Sequence, residues 1–416
     1  MAEMALTRSD ILAERSATVA GSATVRAAGS GLELALVTDI GALSGLAPEW
    51  DALVGRAGRP EQVFQSFNWC WHWCRNYIAG NGNTGPNRLA VVTGRICGQL
   101  ALVMPLVVRR KTGLKQLIWL GEPVSQYGDV IAAPEAQNLE CLTQAWHYCI
   151  AETRADVANL RKVREDAVVA PLLKSLGMRV TATEEAPFLD LRSASDFASY
   201  MAAHPSKGRV KNRRRQLRRL QERGPVTFDC HAGSQDAAQL ASYAILLKRV
   251  WLKTQAKVSP ALADKRFEAF FRDVCGPGPH PVDCKVLSIK SGNEIAAQQI
   301  VIDNAGTRFL HVAVYSGKFE KAGAGALLLE HLIESCYAHG VHRLDLLPPR
   351  HDYKLDFANG ILAVHDHALA LTTAGSLYTS GYLGLRRRLK AGVEAMPAPL
   401  RTAVGIALSL AKGGRR

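Results

Sequence analysis

Residues 306–345 constrain the fold more than any other stretch of this chain. An apolar, β-branched run, TRFLHVAVYS (307–316), ends in the loop GKFEKAGAG (317–325). That loop opens a long apolar helix, GALLLEHLIESCYAHG (325–340), and HRLDLLP (342–348) then reads as a further strand. Gly323, Ala324 and Gly325 stand where the first helical amides point off the helix end. Small residues there let a phosphate approach backbone N–H groups, and the helix dipole favours an anion. Lys318 and Lys321 flank the loop and can reach the same phosphates, so the candidate cradle is Lys318, Lys321 and Gly323 to Ala326 (Gly323, Ala324, Gly325, Ala326). Read alone, the loop is either such a cradle or a flexible strand–helix connection.

The same grammar extends on both sides. DCKVLSIK (283–290), EIAAQQIVID (294–303) and TRFLHVAVY (307–315) read as three antiparallel strands joined by tight turns at SGN and NAG. Before them come a helical section from Phe197 to Arg223, a strand at 225–231, and helices at 235–255 and 264–275. The last two are anchored by Trp251, Phe267, Phe270 and Phe271. The first half of the chain is a cousin. LELALVTDI (32–40) is a strand and APEWDALVGRA (47–57) a helix. Residues 61–78 place Trp69, Trp73 and Tyr77 on one helical face. RLAVVTGR, QLALVMPLVVRR and KQLIWLG are strands of one sheet, followed by a helix at 136–153 and a strand at 155–163. At about 100–200 residues per domain, the length fits two such units, of class α/β (α+β). The expected boundaries are a disordered Ala/Ser/Thr/Gly-rich arm at 1–30, units at 31–190 and 191–370, and a basic C-terminal extension at 371–416.

The order of these elements resembles the acetyl-CoA-binding core of the GNAT acyltransferases. More narrowly, the chain is similar to the CelD/BcsL type associated with cellulose or exopolysaccharide biosynthesis, which is related to FemAB-like tandem-GNAT proteins. Phe64, Trp69 and Trp73 match an early aromatic helix, and Gly121, Ser125, Tyr127 and Asp129 match a G…S-x-Y-x-D stretch. Residues 209–223 match an Arg-rich helix. Ala313, Tyr315, Ser316 and Phe319 match A-x-Y-[DS]-x-x-[YF], with Gly325 as the glycine opening the helix. Asp345 and Tyr353–Lys354 match D-x-L-x-G…Y-K. Two positions depart from the pattern: Glu320 stands where Gln or Arg begins the phosphate loop, and Pro348–Pro349 replaces the last glycine motif. The resemblance implies two tandem GNAT-like units, each a mixed, mostly antiparallel sheet flanked by helices, with the acyl-CoA site in 191–370. It also implies substrate contacts at Tyr127, Asp129, Arg213, Arg214, Tyr315 and Asp345.

Acyl transfer from a thioester needs a deprotonated acceptor, a polarised carbonyl and a proton for the leaving thiolate. Strand alternation puts Phe309, His311, Ala313 and Tyr315 on one face, and a histidine, whose free side chain titrates near neutral pH, could act there as the general base. Tyr353 can protonate the thiolate, with Lys354 near the phosphates or the acceptor. A strand histidine satisfied by hydrogen bonds and a surface Tyr–Lys pair are the plain alternatives.

Lys plus Arg number 51 and Asp plus Glu 37, giving 51 − 37 = +14, so anionic partners are favoured. Residues 207–219 (KGRVKNRRRQLRR) hold eight basic residues and no acid. That helix can carry a small anionic ligand, the CoA phosphates or nucleic acid, or be a solvated face. Nucleic acid is not expected, because no helix-turn-helix, zinc-finger or RNA-binding signature accompanies it. Cys70, His72 and Cys74 lack the further pairs that tetrahedral zinc needs, so no metal is expected. Nine cysteines, an odd number without an export signal, read as free thiols in a reducing, cytoplasmic compartment. The longest apolar run, Leu100–Val108, falls short of the about 20 residues of a membrane span. A peripheral membrane contact through RRRLK (386–390) stays open.

The expected activity is transfer of an acetyl or other acyl group from acetyl-CoA or another acyl-CoA to an amine or hydroxyl. The acceptor would be a small molecule or saccharide-linked, tied to polysaccharide or cell-envelope biosynthesis. Two alternatives stand beside it: a FemAB-like aminoacyl-tRNA-dependent transferase, and a non-catalytic GNAT-like assembly factor.

Overall fold

The structure is a computed structural model that describes residues 15–16, 24–26, 31–79, 85–203, 209–255, 257, 259–382 and 392. The rest of the 1–30 arm, Lys207 and Gly208 of the basic run, and RRRLK at 386–390 lie outside them. Arg15–Ser16 and Thr24–Arg26 are short paired strands inside the stretch expected to be disordered. By contact, the chain divides into Met1–Thr183 with Ala363–Ser380, and Glu184–Leu362 with Gly381–Arg416.

The first unit contains β1 (Glu33–Val37), α1 (Ala47–Ala57), α2 (Phe67–Tyr77), β2 (Asn87–Ile96), β3 (Gln99–Lys111), β4 (Leu114–Trp119), β5 (Ile131–Ala132), α3 (Leu139–Thr153) and β6 (Val157–Arg164). β1 to β4 pair antiparallel in chain order. β4 and β6 run parallel, and register only at Gln116↔Val157 and Leu117↔Ala158. β3 is buried from Leu100 to Val108, which is why its sequence is a continuous apolar run rather than an alternating one. The helix read from 61 onward breaks at Ser66. A 3₁₀ turn, Pro60–Gln65, precedes it, and the Ser66 side chain caps the Trp69 amide to start α2. Trp50, Phe64, Phe67, Trp69 and Trp73 fill the core against the sheet.

β7 (Arg179–Asp190) leads into the second unit. There follow α4 (Arg209–Gln221), β8 (Val226–Ala232), α5 (Gln235–Thr254), α6 (Lys265–Cys275), β9 (Cys284–Ser291), β10 (Glu294–Asn304), β11 (Thr307–Tyr315), α7 (Ala324–Ala338) and β12 (Arg343–Asp345). β13 (Gly360–Ala370) closes the series; from Ala363 it belongs to the first unit, where its residues from Val364 pair antiparallel with β6. In the second unit β8 to β11 pair antiparallel in chain order, β11 and β12 pair in parallel, and Phe188–Asp190 of β7 pairs with β12. Both units therefore repeat one order: strand, helices, three antiparallel strands, helix, parallel strand. The fold is α/β with two tandem units, each a mixed, mostly antiparallel sheet flanked by helices.

The second sheet is covered on both faces. Leu287, Ile289, Ala297, Val301 and Leu310 pack with Leu327, Leu328, Leu332 and Ile333 of α7. Residues of the opposite pleat, Ser288 and Gln298, hydrogen-bond each other, and Gln298 Nε2 also donates to the Leu240 carbonyl of α5. So α7 lies on one face and α5 on the other. No helix among the described residues is long and apolar enough to cross a membrane.

Candidate functional site

β12 is shorter than its apolar sequence predicts, and this creates the site. The strand read as 342–348 stops at Asp345. The buried Asp345 carboxylate accepts the Leu347 amide at 2.8 Å, and Leu347 turns to φ 60. Lys354, also buried, donates to the Leu347 and Pro349 carbonyls at 2.6 and 2.8 Å. Together these turn the chain away from β11. β11 pairs with β12 only over Thr307–Phe309, yet it runs on to Tyr315 along β10. From Leu310 to Tyr315 the edge that faced β12 carries no partner strand among the described residues.

At the end of that edge lies the loop. Gly317–Ala322 form a 3₁₀ turn, and Gly323 adopts φ 65, ψ 29 at the N-terminus of α7. A Cβ on Gly323 would stand 2.2 Å from the Gln216 amide nitrogen, so this position needs glycine for conformation and for space. Gly325 differs: a Cβ there meets only Tyr315, at 3.6 Å. The Gly323 carbonyl accepts from the Ala326 and Leu327 amides, and the Ala324 and Gly325 amides precede these first intrahelical bonds.

The basic helix α4 rests on this loop. Arg219 donates to the Lys321 carbonyl at 2.7 Å, Arg223 stacks over Phe319, and Arg213 pairs with Glu330 of α7 at 3.4 Å. Arg214 and Arg218 are exposed. Of the expected cradle lysines, Lys318 pairs with Glu294 at 2.6 Å, while the Lys321 side chain is exposed. Glu320, the acid in the loop, accepts the Tyr315 hydroxyl at 3.3 Å.

The structure brings the loop, Arg213, Arg214 and Tyr315 into one neighbourhood, but other expected residues are differently placed. His311 is the extra residue of a β-bulge, because Val301 pairs with Leu310 and Ile300 with Val312. The bulge breaks the alternation expected from Phe309 to Tyr315 and sets the His311 ring against Phe271 of α6, 4.8 Å between centroids. Tyr353 is 45% exposed and stacks on His351. Lys354 is taken up by its two carbonyls, and burial lowers its pKa to about 8. Asp345 shapes the turn described above.

Tyr127 and Asp129 belong to the first unit and are buried. Asp129 accepts four hydrogen bonds, from the Gln62 side chain and the amides of Val130, Val168 and Val169. Burial still outweighs those donors and raises its pKa to about 6. Tyr127 packs edge-on against Phe64, beneath Arg164. Ser125 accepts the Trp69 indole at 2.9 Å, and Gly121, at φ 105, leaves room for the Ser125 hydroxyl. The G…S-x-Y-x-D stretch is thus one internal network with Trp69 and Gln62. Cys70, His72 and Cys74 are all buried in α2, and burial raises both thiols.

Three residues at the site were not singled out from sequence as ligand-binding: Lys248, Trp251 and Lys257. Lys248 donates to the Ala313 carbonyl at 2.8 Å, and Trp251 meets Tyr315 edge-on at 6.1 Å. The i, i+3 spacing of a lysine and a tryptophan at the end of α5 was the available signal.

The stretch that holds the open strand edge and the glycine-led helix start is similar in sequence to the acetyltransferase (GNAT) domain family. The match spans residues 207–355. Among solved structures, FemX superimposes with a TM-score of 0.55 at 9% identity, over 80% of this chain and 98% of that one. L-PGS from Bacillus licheniformis gives 0.50 at 12% identity, over 82% and 95%. Those two likenesses are of fold. No curated protein matches the chain. The matched stretch includes α4 from its first residue, together with the loop that α4 touches.

Proposed function

We propose that the GNAT domain binds acetyl-CoA or another acyl-CoA and transfers the acyl group to an amine or hydroxyl. The observation that supports this most is the meeting of the open β11 edge with the Gly323–Ala326 helix start under α4. Pyrophosphate lies at the Ala324 and Gly325 amides, with Arg214, Arg218 and Lys321 supplying positive charge. The pantetheine arm runs along Leu310–Tyr315, taking the backbone hydrogen bonds that β12 leaves unmade. A thioester carbonyl held there is polarised by strand amides, and attack by a neutral acceptor gives a tetrahedral centre that expels the thiolate. His311 is the proposed base, directly or through a water. Tyr353 is the proposed proton donor to the thiolate. Lys354 and Asp345 position the loop that carries Tyr353. Tyr127 and Asp129 serve by holding the first unit together rather than by touching the acceptor.

The resemblance to CelD/BcsL proteins supports an acceptor of polysaccharide or cell-envelope biosynthesis in the cytoplasm. A second reading, aminoacyl transfer from tRNA, is favoured by one observation: Arg214 and Arg218 are exposed beside the loop, where they suit a polyanion. The test is Gly325→Asp against Gly325→Ala. A carboxylate at the phosphate position is expected to abolish acetyl-CoA binding by calorimetry, while alanine, which has room, preserves it. Unimpaired binding by a folded Gly325→Asp chain would refute the phosphate site.

A further inference from the structure

A group of cationic and hydrogen-bond-donating side chains gathers at the end of α5, where Trp251 meets Tyr315 and Lys248 meets the open edge of β11. The Lys248 ammonium stands 4.3 Å from the centre of the Trp251 ring and the Lys257 ammonium 5.9 Å from the same ring. Lys248 gives one hydrogen bond, to Ala313 at the open edge of β11. Neither lysine forms an ion pair among the described residues, whereas Arg249, next along the helix, is paired with Glu268 at 2.8 Å. The Trp251 indole N–H is buried and makes no hydrogen bond. His351 completes the group, with its charged surroundings dominated by Lys354, Lys257 and Lys248 against the single acid Asp352.

Two ammonium groups on one indole repel each other, and a buried donor left without an acceptor is costly. What the cluster lacks is an acceptor-only, negatively charged group. We infer that Lys248, Lys257 and Trp251 form a binding site for an oxyanion, a carboxylate or phosphate, carried by the acceptor substrate. The placement argues for the acceptor over the donor. In the proposed function the phosphates of an acyl-CoA sit at the α7 start, and its pantetheine arm carries no charge. An acceptor anchored at Trp251 puts its nucleophile at the Ala313–Tyr315 end of the β11 edge, where the thioester arrives. Burial and Lys257 lower the Lys248 pKa to about 8, as expected where positive charge is uncompensated. The assignment to the acceptor rests on the acyl-transfer reading; the oxyanion site itself does not.

The test uses the full chain and inorganic phosphate. Surface lysines are acetylated with N-hydroxysuccinimidyl acetate near pH 8, with phosphate or with chloride at equal ionic strength, and the rate at each lysine is read by mass spectrometry. Phosphate is expected to slow Lys248 and Lys257 about tenfold, since a bound anion holds both ammoniums protonated, and to leave Lys253 on the same helix unchanged. In the Lys257→Met chain the protection of Lys248 is expected to disappear. Succinate in place of phosphate separates a carboxylate site from a phosphate site. Equal rates with phosphate, succinate and chloride, or uniform slowing of every lysine, would overturn the proposal. Acetyl-CoA binding, measured alongside by calorimetry, tests the acyl-transfer reading separately. Protection without acetyl-CoA binding keeps the oxyanion site and refutes that reading, and binding without protection does the reverse.

Discussion

Two glycines two residues apart do different work at the helix start. Gly323 sits in the left-handed region with Gln216 packed where a side chain would be, so Gly323→Ala is expected to cost about 1–2 kcal/mol in urea unfolding. Gly325→Ala is expected to stay within about 0.5 kcal/mol. Equal costs would contradict this division. The sequence marks both as small and cannot tell them apart, because the difference lies in a backbone angle and in a side chain from α4. Asp129 carries a second residue-scale prediction. Its pKa is raised to about 6, so the folded state keeps a proton that the unfolded chain releases above about pH 4. The stability this group contributes is therefore fully present below that pH and falls as pH rises to about 6, by roughly 3 kcal/mol. Denaturant unfolding at pH 4 and pH 7 should show that loss in the wild-type chain and not in Asp129→Asn; parallel losses in both would refute it. Asp129 stood out in sequence only through a family motif, which does not distinguish a ligand contact from a buried hub. Its four internal donors make that distinction.

At the scale of elements, the three antiparallel strands and α7 were legible because their apolar periodicity and tight turns are local signals. β7 and β13 were not read from the sequence. Their segments RVTATEEAPFLD and GILAVHDHALA mix acids and histidines into the apolar pattern, and their pairing partners are remote in sequence. The end of β12 was hidden for another reason: LLP continues an apolar run, and only the Asp345 and Lys354 hydrogen bonds bend it away. That bend is what frees the β11 edge. Helix α4 reads from sequence as a basic helix, but its place on the 317–325 loop emerged only from Arg219, Gln216 and Arg213. The Arg214 and Arg218 side chains are exposed and form no ion pair among the described residues. Replacing both with Ala is expected to weaken acetyl-CoA binding about tenfold, with a smaller salt dependence and an unchanged unfolding midpoint. Unchanged affinity would remove α4 from the donor site.

The two units repeat one strand and helix order, and among the described residues only the second has the glycine-led helix start together with the basic helix. Six of the seven tryptophans lie in the first unit and Trp251 alone in the second, so intrinsic fluorescence mostly reports on the unit without the proposed donor site. Calorimetric unfolding reads both units and is the better probe. The most direct test of the account is therefore scanning calorimetry of the full chain with acetyl-CoA, with free CoA and RNA as comparisons. A ligand bound only by the folded state adds about 2.7 kcal/mol at 100 times its dissociation constant. The account predicts stabilisation by acetyl-CoA and CoA that disappears in Gly325→Asp. A folded chain indifferent to both, and stabilised instead by RNA in a salt-sensitive way, would contradict it.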